Sequence, residues 1–220
     1  MRNSVPPVRC AALALAAIAI IAVSTSSPVR AGDIIADWAM AKTPPAPELK
    51  PVTVDGKTTA LLILDMMKGN CAARPRCLAT VPAIKKLMDA ARAADAMVFY
   101  TLVGAGNATP ADMVDPGIAP HEGEWVFQRG PDKFLGSGLD ERLKARGIKT
   151  VIVTGTSAQG AVVGVSSGAA QRGYKVIVPV DGMSAEDAYS EQYAAWHLYK
   201  GGPTIITDRI TLTRSDMIKF

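Results

Sequence analysis

Four short runs decide what this chain can become. TTALLIL (58–64), MVFYTL (97–102), TVIVT (150–154) and KVIVPV (175–180) are apolar on nearly successive residues rather than alternate ones. A strand that is apolar on both faces has to be covered on both, and stretches with helical spacing lie between the runs. In 82–94, Ile84, Leu87, Met88 and Ala91 recur on one face. Residues 139–146 stop at Gly147, 158–172 stop at Gly173, and 184–200 form a further helix with Ala188, Tyr189, Tyr193 and Trp196 expected to face inward. Two weaker strands, 125–128 and 204–207, complete the pattern. It predicts an α/β fold, a three-layer α/β/α sandwich around a six-stranded parallel, Rossmann-like sheet.

The chain has 220 residues, enough for one such domain. Residues 1–31 do not belong to it. Arg2 and Arg9 precede the apolar run CAALALAAIAIIAV (10–23), and Val29 and Ala31 close the segment, the pattern of an export signal cut after Ala31. The run is short for a membrane span, so the expectation is a periplasmic or secreted protein with no membrane partner after cleavage. The Pro-rich stretch 32–57 reads as an extended arm, which leaves 58–220 as the domain. The signal carries Arg2, Arg9 and Arg30 and no acid, so most of the formal charge of +4 leaves with it, and no nucleic-acid footprint remains.

Cys71 and Cys77 remain, in NCAARPRC, and an even count in an exported chain reads as a disulfide; two free buried thiols are the alternative. Neither His121 nor His197 is close in sequence, so no zinc site is argued. The chain has no P-loop and no DxH or HxxxH pair, and GAGN (104–107) lacks the third glycine of a dinucleotide fingerprint. No metal and no cofactor are expected.

Ligands of open parallel sheets bind beyond the carboxyl ends of the strands. Asp65 stands there after the first strand, where an acid is costly to bury without a function or a partner. The segment 128–134 follows the third strand, 155–161 the fourth, and Asp181 the fifth. Lys133, in GPDKF, could approach Asp65, although local sequence favours a solvated lysine; Arg129 has the same ambiguity. Ser157, Asp181 and His197 follow the chain order of an α/β-hydrolase triad, but Gln159 occupies the place where the nucleophile elbow needs glycine. His121 and His197 read as structural or exposed.

LLILDMMKGNC (61–71), GEWVFQR (123–129), KFLGSGLDERLKARGIKTVIVTGTSAQGAVV (133–163) and RGYKVIVPVDGMSAED (172–187), in this order and spacing, resemble the isochorismatase-like hydrolases, or cysteine hydrolase superfamily. The resemblance runs from about residue 58 to the C-terminus. It implies hydrolysis of a small molecule, usually an amide, by an Asp–Lys–Cys triad. A smaller branch cleaves the vinyl ether of isochorismate, keeping the Asp and lacking the Cys.

Carried over residue by residue, Asp65 fits the family aspartate. The lysine position falls on Arg129, with Lys133 near enough to substitute, and the nucleophile position falls on Ala161. A methyl group cannot attack a carbonyl, so the resemblance is to a branch without the nucleophilic cysteine. Asp65 and Lys133 are then the catalytic candidates, with Arg129, Gln128, Thr156, Ser157, Gln159 and Ala161 around the substrate. Backbone N–H groups of 155–161 would form an anion or oxyanion site.

The expected function is exported hydrolysis of an amide, ester or enol-ether type bond by Asp-centred acid–base chemistry. A non-catalytic small-metabolite-binding or structural member of the fold is the alternative, and Ser157 or Thr156 replacing the lost thiol is a third. Relatives are commonly dimers or tetramers, so a homo-oligomer is implied.

Overall fold

The computed structural model describes residues 32–103, 109–128 and 130–220. The expected export signal, the GAGN run and Arg129 lie outside them. The chain divides into two units between Thr43 and Pro44. In the first, Trp38–Met40 make one turn of 3-10 helix. The second, Pro44–Phe220, carries the sheet.

In chain order this unit contains β1 (Val52–Thr53), β2 (Thr59–Leu64), α1 (Lys68–Cys71), α2 (Pro75–Ala93), β3 (Met97–Leu102), β4 (Trp125–Gln128), α3 (Leu139–Ala145) and β5 (Thr150–Thr156). A π-helical turn, Ala158–Val162, then runs into α4 (Val163–Gln171). β6 (Lys175–Pro179), β7 (Met183–Ser184) and α5 (Ala188–Trp196) follow, then a second π-helical turn, His197–Gly201. The unit closes with α6 (Thr204–Thr207), β8 (Ile210–Thr213) and β9 (Ile218–Lys219).

All six residues of β2 are buried, and the pleat divides them between two cores. Leu61 and Ile63 pack with Ile84, Leu87 and Met88 of α2 on one face. Leu62 and Leu64 pack with Leu143 of α3 and Val165 and Ala169 of α4 on the other. Each such aliphatic side chain contributes about 1.5–3 kcal/mol by leaving water. The continuous apolar runs are thus the direct cause of the two covering layers.

The main sheet is parallel, in the order β4-β3-β2-β5-β6-β8. It has seven strands rather than the expected six. β6 pairs with β5 only along Thr150–Ile152, and Met183–Ser184 takes the vacated edge beside Gly155 and Thr156. Chain order reverses between β2 and β5, so the crevice beyond their carboxyl ends is the topological switch point.

Several expectations need correction. Residues 204–207 are a helical turn, because Pro203 precedes them with φ near −57° and starts the turn; the strand beside β6 is Ile210–Thr213. The helix expected at 82–94 begins at Pro75, whose lack of an N–H costs nothing in a first turn, and Pro82 is carried inside it. α5 turns Ala194 into the core, and Leu198 follows on the same side, among Ala158, Ala161 and Val162. Small residues on both surfaces let the elements approach closely, so Ala188, Tyr189, Tyr193 and Trp196 are all exposed, not inward as expected.

Gly155 of β5 lies directly opposite Leu64 of β2. Its φ is +110°, and a Cβ built there would lie 2.1 Å from the Leu64 carbonyl oxygen. Backbone cannot yield as a flexible side chain does, and β-carbon residues avoid this conformation. Gly155→Ala is expected to cost more than about 3 kcal/mol, read as a fall in Tm of roughly 6–12 °C. An unchanged Tm would show that the crossover can spread.

Candidate active site

Asp65 is the first residue past β2, and its backbone N–H donates to the Thr101 carbonyl at 3.0 Å. Its φ of +55° lies in the left-handed region, which aspartate tolerates better than most residues. The turn brings the carboxylate over the end of β3. Its Oδ1 accepts from Thr101 Oγ1 at 2.7 Å and from Lys133 Nζ at 2.9 Å; Oδ2 accepts from Lys133 Nζ at 2.8 Å. The register explains Thr101, because Leu64 pairs with it directly.

Lys133 is 0% exposed and Asp65 4%. The lysine is held from its own segment: Phe134 is buried in the core and stacks on Tyr174, and Ser137 Oγ donates to the Lys133 carbonyl at 2.6 Å. Burial pushes the Asp65 carboxyl above its ordinary range, and the Lys133 ammonium and Thr101 hydroxyl pull it partly back. In these contacts with Thr101 and Lys133 both oxygens accept, the pattern of an ionised carboxylate.

A cavity of about 530 Å³ opens beside the acid. Its lining includes Asp65, Asn70, Arg74, Thr156, Ser157, Ala161 and Glu186. The peptide bond between Thr156 and Ser157 is cis. The Ser157 carbonyl accepts from the Gly160 and Val162 N–H groups at 3.0 and 3.2 Å, starting the helical run that α4 continues. That places a helix N-terminus, with its partial positive charge, at the cavity wall.

The remaining candidates separate. Gln159 is exposed and Gln128 half-buried at the end of the edge strand; neither lines the cavity. Arg129 lies outside the described residues. Asp181 accepts from the Ser215 N–H at 2.8 Å and from Ser215 Oγ at 2.7 Å, so it ties the chain after β8 rather than serving Ser157. The His197 ring lies tilted against that of Tyr193, centroids 5.7 Å apart, and His121 is exposed. Cys71 and Cys77 form a buried disulfide, with Cα atoms 5.2 Å apart.

The sequence by itself does not single out Asn70, Arg74, Thr101 or Glu186. Thr101 has one available signal, an aliphatic hydroxyl near the carboxyl end of a largely apolar strand. Arg74 is bracketed by the two cysteines, a pattern that speaks for the disulfide and not for the arginine.

A doubly wound parallel sheet with an acid–lysine pair and a cavity at its switch point defines an α/β protein of the isochorismatase-like hydrolase class. The chain belongs to the isochorismatase family: residues 59–209 match the isochorismatase domain. An isochorismatase family protein of Bacillus subtilis, YwoC, is 29% identical over 154 residues, which cover 60% of this chain and 81% of that protein. N-carbamoylsarcosine amidase of an Arthrobacter species is 31% identical over 124 residues, 45% of this chain and 47% of the amidase. Among solved structures, an isochorismatase family protein of Desulfovibrio vulgaris matches with a TM-score of 0.63 and 25% identity, over 72% of this chain and 95% of that one. N-carbamoylsarcosine amidase of Thermoplasma acidophilum matches at 0.59 and 25%, over 72% and 97%.

Proposed function

We propose that this chain is an exported hydrolase of a small molecule, cleaving an amide, ester or enol-ether type bond, with Asp65 moving the protons and no covalent intermediate. The observation that carries this is the contact of Lys133 with both Asp65 oxygens at the wall of a cavity of small-molecule size. Ala161 lines that cavity at the position where the family resemblance puts the nucleophile, and it offers only a methyl group.

For an amide, Asp65 takes a proton from a water molecule as the water oxygen attacks the carbonyl carbon. The carbonyl oxygen gains its negative charge next to the N-terminal turn that begins at Ser157. The carbon–nitrogen bond then breaks as the same proton passes from Asp65 to the leaving nitrogen. The products are an acid and an amine, and the carboxylate is restored. Lys133 acts through Asp65: fully buried, it holds the carboxylate ionised and aimed, and is a positioning residue rather than a contact to substrate.

A second reading has one observation in its favour. Thr101 and Lys133 already make three contacts to the Asp65 carboxylate, which suits a structural ion pair in a non-catalytic binding protein. A panel of amides, esters and enol ethers separates the two, hydrolysis by the protein supporting the enzyme and none supporting the binder. Intact mass during turnover is expected to show no acyl adduct; one on Ser157 or Thr156 would overturn the mechanism.

The pH profile gives a further check. Asp65 must be ionised to act as a base, so activity rises as pH rises through its pKa. Burial has lifted that pKa, so the rising limb is expected above the ordinary carboxylate value of about 3.9. A limb at or below that value would remove Asp65 as the base.

A further inference from the structure

Arg74 is the last residue before α2, inside the ring closed by the Cys71–Cys77 disulfide. Its side chain is only 18% exposed and lines the cavity that holds Asp65. Nε donates to the Asn70 carbonyl, and Nη2 donates to Thr156 Oγ1 at 2.9 Å. A guanidinium carries five N–H donors, so three have no partner among the described residues. The nearest acid is Glu186, 3.8 Å away, beyond hydrogen-bond reach and 75% exposed.

A largely buried cation is costly unless it is paired and hydrogen-bonded. Lys133 is paired with Asp65, while Arg74 has only a distant surface carboxylate. The four charges, Asp65 and Glu186 against Lys133 and Arg74, sum to zero. A monoanion that displaces Glu186 keeps that balance and supplies the planar, two-pronged acceptor a guanidinium fits best. A dianion would overfill it. Asn70 fixes the spacing, because its Nδ2 donates to the Asp65 carbonyl at 2.9 Å while its own carbonyl accepts from Arg74.

We propose that Arg74 binds a carboxylate of the substrate, so that the cavity takes small monocarboxylic acids and presents their scissile bond to Asp65. The substrate assignment rests on the cavity being the active site; the anion site at Arg74 does not. The disulfide ring fixes the backbone that carries the arginine, so the anchor and the acid keep their separation.

The test uses benzoate, its neutral isostere benzamide, and sulfate, titrated calorimetrically into the full protein. Benzoate is expected to bind, benzamide and sulfate more weakly. Equal affinity for benzamide would remove the charge recognition, and equal affinity for sulfate would remove the selection for carboxylate. Arg74→Gln is expected to raise the benzoate Kd tenfold to a hundredfold, the usual worth of a charge-assisted contact. Wild-type affinity in that variant would overturn the proposal.

Glu186→Gln, on an exposed side chain, removes the competing carboxylate and is expected to tighten benzoate several-fold; unchanged or weaker binding would also overturn it. These outcomes are independent of turnover. Arg74-dependent benzoate binding in a protein that hydrolyses nothing upholds the anion site and sinks the hydrolase reading.

Discussion

Asp65→Asn is expected to lower turnover by about 10²–10⁴-fold, the range that general acid–base groups supply. The amide is nearly the same size and can still accept from Thr101, so the cavity keeps its shape. What it loses is the ability to take a proton from water, and no other acid within the described cavity wall is buried against a cation. The variant also leaves Lys133 enclosed without its counter-charge, at a cost of about 3–5 kcal/mol. Kinetics therefore belong at a temperature where circular dichroism shows the variant folded. Activity within a few-fold of wild type in a folded sample would take Asp65 out of the mechanism.

Lys133→Met should be similarly damaging to stability, about 3–5 kcal/mol, because it strands a buried carboxylate. It should also move the rising limb of the pH profile upward, since the largest influence opposing burial at Asp65 is gone. The combination Asp65→Asn with Lys133→Met removes both charges and is expected to be more stable than either single variant. Chemical denaturation of the three proteins measures this. Additive losses would mean the two side chains do not act as a pair, and the geometry of the candidate site would lose its energetic meaning.

The layers were legible because burial on both faces writes itself into β2, β3, β5 and β6 as unbroken apolar runs. The last strand was not. Residues 204–207 and 210–213 are both rich in β-branched residues, and only the turn started by Pro203 decides between them. The orientation of α5 was hidden for another reason. Aromatic residues usually carry the buried face of a helix, but here the seat is lined by alanine and valine, and a small residue fits it.

At the site, Asp65 was readable as an acid at the end of an apolar strand. The burial of Lys133 was not, because a lysine in a Gly-Pro-Asp turn is solvated unless something distant in sequence demands it. That demand comes from Asp65, a long-range partner that local pattern cannot reveal. Arg74 was missed on the same ground: its partners, Thr156 and Glu186, come from the far half of the chain.

The short pairing of β1 with β9, Val52 opposite Ile218 and Thr53 opposite Lys219, has a kinetic meaning. The whole main sheet is encoded between the two halves of this seam. Val52 and Ile218 are separated by nearly the whole domain, and closing so large a loop is entropically costly. The hydrolase fold is therefore expected to assemble its centre first and fasten this clasp afterwards, as a final step.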